Sequence, residues 1–102
     1  MAIKQHTSKE NNQVTIKIND HFDFSLHQNF RNAYINEKKS NCTFIIDLTN
    51  ATYMDSSALG MILLLKDHAD SLGGKIIIAK PNEGVNKILE IAQFNKLITI
   101  ER

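Results

Sequence analysis

From Gln13 to Ile18 the chain alternates polar and apolar residues, QVTIKI, so that Val14, Ile16 and Ile18 share one side of an extended backbone. That two-residue period predicts a strand with one buried face, and the residues before it, including Ile3, suit an added edge strand. From Ser25 the period lengthens. Leu26, Phe30, Ala33 and Tyr34 recur at helical spacing, with Ser25 placed as a cap before them. CTFIIDL, at 42–48, is β-branched and almost continuously apolar, which predicts a central strand covered on both faces. A second helix is expected from Ser56 to Leu72, stopped by Gly73 and Gly74, which readily take the left-handed conformation after a last turn. KIIIAK, at 75–80, follows as another buried strand. Asn82, Glu83 and Gly84 then turn the chain into a third helix marked by Val85, Ile88, Leu89 and Ala92, and LITI, at 97–100, returns as a strand.

Strands and helices thus alternate through the chain. This order predicts an α/β fold with a mainly parallel central sheet, right-handed crossovers, an antiparallel strand from the N-terminal region and helices packed on the sheet. With 102 residues, the chain is expected to form a single domain over 1–102.

The second helix begins with polar residues and continues into MILLL. At about 100° per residue, Ala58, Met61, Ile62, Leu65, Ala69 and Leu72 gather on a core face. Ser56, Leu59, Gly60 and Leu63 fall on the solvent side, a stripe that suits partner binding unless a neighbouring helix covers it. Asp55 or Ser56 can each cap the helix, and capping alone is a sufficient reason for both. A phosphate on Ser56 would add roughly −1.5 to −2 charge at a helix N-terminus, where the dipole favours an anion. The domain would tolerate that charge. A docked partner would not, because the charge must be desolvated beside an apolar contact. Tyr53 and Met54, just before Asp55, are expected to pack their loop onto the sheet.

Composition narrows the function. The net charge is +1, with twelve basic and eleven acidic residues interspersed, so no basic stripe marks a nucleic-acid partner. Cys42 is the single cysteine, which excludes an intrachain disulfide and suits a reducing, cytoplasmic setting. The N-terminus lacks the pattern of a signal peptide, and the longest purely apolar run is too short to span a bilayer. An enzyme is not expected. Ser56 and Ser57 lie in no GxSxG elbow, and His21, His27 and His68 have no recognisable spacing to a serine and read as polar surface residues. The four histidines and Cys42 lack zinc-site pairings, and no glycine-rich phosphate loop is present. No cofactor or metal is therefore expected.

FIIDLTNATYMDSSALGMILLL resembles the core motif of the STAS domain and, within that family, of bacterial anti-sigma factor antagonists: an apolar strand, an aspartate, a short loop, then DSSGLG opening a helix. GGKIIIA, at 73–79, matches the family's glycine turn and next strand, and the resemblance covers nearly the whole chain. It implies that Ser56 is phosphorylated by a partner serine kinase that doubles as an anti-sigma factor, that a PP2C-type phosphatase reverses this, and that the unphosphorylated form binds the kinase. Asp55 and Ser57 would support the switch. So would Asp23, which ends a DHFD turn where relatives read GELD, while the residues alone read equally well as a solvated loop aspartate ahead of the Ser25 cap. Ala58 departs from the family pattern by replacing a glycine.

The resemblance extends to STAS proteins that govern exopolysaccharide and biofilm programmes, including the SypA type. A monomer or weak dimer is expected. The alternative the resemblance leaves is a constitutive STAS scaffold subunit of a lipid-transport ABC complex, although such subunits tend to read D[ST]AGL where this chain has DSSALG.

Overall fold

The computed structural model describes residues 3–8 and 11–102. Five strands, β1 (Ile3–Ser8), β2 (Gln13–Phe22), β3 (Thr43–Met54), β4 (Lys75–Ala79) and β5 (Thr99–Glu101), form one sheet in chain order. β1 pairs antiparallel with β2, and every later neighbour is parallel. Three helices connect the parallel strands: α1 (His27–Asn32), α2 (Ser56–Ser71) and α3 (Glu83–Ile91). The α/β class, the antiparallel edge strand and the three crossovers agree with the sequence reading.

The covering of the sheet does not. Val14, Phe44 and Ile76 are neighbours across β2, β3 and β4, as are Ile16, Ile46 and Ile78, and all six are buried. The intervening rows, Thr15 with Ile45 and Ile77, and Lys17 with Asp47 and Ala79, are only half-buried. A sheet whose parallel strands follow chain order receives every right-handed crossover helix on the same side. β3 is therefore covered on one face, not two, and Ile45 and Ile77 stand on the open face.

The element ends also shift. Ser25 does not cap α1. Asp23 caps a short 3-10 turn, Phe24–Leu26, that leads into the helix. β3 runs on to Met54 with irregular register against β2 around Asn19 and His21. Leu97 precedes the last strand and is exposed.

On the covered face Phe22, Phe30, Phe44, Ile62, Leu65 and Leu89 are fully buried. The Phe22 and Phe30 rings lie 5.2 Å apart. His68 differs from the surface histidine expected: it is half-buried, its Nε2 lies 2.7 Å from the Glu37 carbonyl, and its ring approaches Tyr34 and Phe44.

The two glycines after α2 have different tasks. Gly73 takes the left-handed conformation with φ 70°, which ends the helix without a Cβ clash. Gly74 instead brings the chain against the start of β3, where an added Cβ would lie 1.9 Å from the Cys42 carbonyl oxygen. The contact is locked by hydrogen bonds from Lys75 N to Cys42 O and from Asn41 N to Leu72 O.

In the irregular part of β3, burial disfavours ionisation of Asp47, but two bonds from Thr49, N–H at 2.9 Å and hydroxyl at 2.6 Å, outweigh it with help from Lys17 and Lys80. The carboxyl is held below its usual range.

Gly74→Ala is expected to destabilise the domain by about 3 kcal/mol or more, since the backbone itself must move, and Leu65→Ala by about 2–5 kcal/mol, both read from urea unfolding. The depressed Asp47 pKa stabilises the fold above the unfolded carboxyl value of about 4 and loses that contribution as pH falls through the folded value. The acid-side decline in urea midpoint should accordingly be shallower in Asp47→Asn than in the parent.

Candidate functional site

β2 and β3 end side by side. Phe22 is opposite Met54, both are buried, and Asp55 N donates to the Phe22 carbonyl at 3.4 Å. Each strand is followed by an aspartate with extended backbone that opens a helical turn. Asp23 Oδ1 accepts from Ser25 N at 3.0 Å and from the Ser25 hydroxyl at 2.5 Å. Asp55 Oδ1 accepts from Ser57 N and the Ser57 hydroxyl at the same two distances. Such caps satisfy N–H groups that the first turn cannot pair internally.

This settles which residue caps α2. Asp55 does so, Ser57 reinforces it, and Ser56 stands between them as the first residue of the helix, exposed to solvent. The Ser57 hydroxyl is held by Asp55, whereas the Ser56 side chain faces outward at the positive end of a sixteen-residue helix. At Asp23 the Ser25 hydroxyl bond, then the Ser25 N–H, hold the carboxyl below its usual range, with His21 nearby favouring the same form. The early aspartate is thus built into the same end of the sheet as Ser56.

Beyond Ser56 the outer face of α2 carries Gly60, where an added Cβ would meet nothing within 4 Å among the described residues, and Leu63, which is 39% exposed. Leu59 is half-buried and packs against the core, so it forms the floor of this surface more than its crest. Leu64, 56% exposed, lies beside Leu63. The core-face reading of α2 did not single it out, because helical periodicity does not say how far a flanking position clears its neighbours. Tyr53 also differs from expectation. Met54 packs inward, but Tyr53 is 48% exposed and faces His21, with ring centroids 5.2 Å apart.

Phe24 stands out in the structure but not in the sequence pattern. It is 65% exposed and stacks on His27 at 4.7 Å. Asn82 anchors the neighbouring turn: its side chain accepts from Val85 N at 2.8 Å to cap α3 and donates to the Ala51 carbonyl of β3 at 3.0 Å. Grooves between β1 and α1, around Gln5 and Asn29, and beside α3, around Glu90 and Arg102, lie elsewhere. The Ser56 region is an outward-facing surface suited to contact with another macromolecule.

The STAS domain model matches residues 4–102, and the chain belongs to that family. It is 45% identical over 100 residues to the STAS-domain containing protein PA14_20770 of Pseudomonas aeruginosa (strain UCBPP-PA14), covering 98% of this chain and 99% of that one. Among solved structures, a candidate anti-sigma factor antagonist of Thermotoga maritima superimposes with a TM-score of 0.84 at 20% identity, covering 98% of this chain and 86% of that chain. The anti-sigma factor antagonist SpoIIAA matches in its unphosphorylated form with a TM-score of 0.73 at 16% identity, covering 99% of this chain and 88% of that one. Its phosphorylated form, from Bacillus, matches with a TM-score of 0.69 at the same identity, covering 99% and 92%. A sulfate transporter family protein of Wolinella succinogenes shares the fold as well, with a TM-score of 0.78 at 10% identity, covering 95% and 81%. At these identities the structural likeness establishes the fold.

Asp55→Ala should cost about 1 kcal/mol through loss of the cap, and Gly60→Ala should stabilise by about 0.5–1 kcal/mol, because the added methyl meets open space and favours helix. Urea unfolding of the two variants checks both signs.

Proposed function

We propose that this STAS protein is a non-enzymatic phospho-switch of a bacterial partner-switching pathway, acting in the cytoplasm as a monomer or weak dimer. The observation that carries the reading is the arrangement at the start of α2, where Asp55 and Ser57 bond each other and leave Ser56 exposed. A partner serine kinase, doubling as an anti-sigma factor, transfers the γ-phosphoryl group of ATP to Ser56. The Ser56 Oγ–P bond forms, the bond to the bridging oxygen of ATP breaks, ADP leaves, and the serine proton passes to a base of the kinase. A PP2C-type phosphatase returns the serine by hydrolysis. The output is transcription or an exopolysaccharide and biofilm programme.

The geometry supports a switch that acts on binding with little change of fold. The phosphate sits at a helix N-terminus that favours an anion, and the core residues of α2 point away from it. The surface beside it, Gly60 and Leu63 over a floor of Leu59, is apolar, so a phosphate there must lose water when a partner docks. SpoIIAA, solved both with and without its phosphate, matches this chain in both forms, which is consistent with a fold that carries the group.

Ser56→Ala is expected to fold and to bind the kinase like the parent while remaining unphosphorylated. Ser56→Asp should weaken that binding about tenfold or more, corresponding to about 1.4 kcal/mol. Phosphopeptide mapping of the protein from its own cells, with binding measured for both variants, provides the check. A protein unphosphorylated in every growth condition and held in one constant complex would instead be a scaffold.

A further inference from the structure

The arrangement that presents Ser56 presents a second residue beside it. β2 and β3 end in register at Phe22 and Met54, and Asp23 and Asp55 then make matching caps to the residue two positions on. In each Asp-x-Ser turn the middle residue is directed outward. On β3 that residue is Ser56, and on β2 it is Phe24. Neighbouring strands lie about 4.8 Å apart, so the exits after Phe22 and Met54 open side by side at one end of the sheet, and a protein docked over that end meets both turns.

We infer that Phe24 is the aromatic anchor by which the kinase that phosphorylates Ser56 docks on this chain, a conclusion that rests on the function proposed above. The Phe24 ring is 65% exposed, with one face stacked on His27 and most of its apolar surface open to a partner, and buried aromatic anchors dominate the energetics of protein contacts. The stack on His27 fixes the ring plane at 9° to the imidazole, so little freedom is lost on docking. The partner's chemistry follows from the surroundings. Asp20, Asp23 and Asp55 lie around the two turns, and the segments 20–30 and 49–65 contain no lysine or arginine. The complementary surface is an apolar socket for one ring with a basic rim, consistent with an enzyme that must also hold the phosphates of ATP.

The test uses extracts of the protein's own cells, grown under contrasting conditions, as the kinase source, with ATP and purified parent, Phe24→Ser, Phe24→Tyr and Leu97→Ser proteins. Phosphate on Ser56 is followed by phosphopeptide mapping as protein concentration is varied, and urea unfolding confirms that each variant is folded. Phe24→Ser should need about tenfold more protein to reach half the maximal rate, with the maximal rate unchanged. Phe24→Tyr should stay near the parent, as should Leu97→Ser, which alters an exposed leucine outside both turns. Parent-like kinetics for Phe24→Ser, or an equal loss in Leu97→Ser, would overturn the anchor while leaving the switch intact. A parent never phosphorylated on Ser56 would overturn both.

Discussion

The parallel pairing of β2 and β3 to a common end is the constraint on which the rest of the site depends. Because Phe22 and Met54 finish in register, with Asp55 N bonded to the Phe22 carbonyl, two chain exits occur side by side. Each exit leaves N–H groups of a first helical turn to be satisfied, and an aspartate does this in both. Burial of Phe22, Met54, Ala58 and Ile62 beneath the exits keeps them from shifting. The polar caps and the buried residues below them therefore act together: the core sets where the turns lie, and the caps set which side chain faces solvent.

A one-sided sheet has a further consequence. With α1, α2 and α3 on the same face, α2 is flanked by α1 and lies over β3 and β4, so among the described residues its outer surface has no further layer above it. That leaves Ser56, Gly60, Leu63 and Leu64 on one accessible surface while Ala58, Met61, Ile62, Leu65 and Ala69 remain in the core. A change at the exposed residues therefore leaves the buried packing of the second group in place.

Much of the site was legible in the chain. The Asp-Ser-Ser junction, the core face of α2 and the glycine stop after it follow from local rules, since capping, helical period and left-handed turns depend on a few consecutive residues. The capping role of Asp23 was not, because either Asp23 or Ser25 suits a helix start and only the backbone shows which side chain meets a free N–H. Gly74 looked like a second helix stop, yet its need comes from the Cys42 carbonyl, thirty-two residues away in the chain.

The sequence by itself determined the order of elements, the mainly parallel α/β class and the place of Ser56 at the mouth of a helix, because these rest on short-range periodicity and hydrogen bonding. Tertiary structure decided which faces are covered. An apolar run such as FII reads alike whether one or both of its sides are buried, and only the crossover direction placed Ile45 on the open face. It also decided that the chain exits leading to Phe24 and to Ser56 lie side by side, since strand register pairs Phe22 with Met54, thirty-two residues apart in the chain.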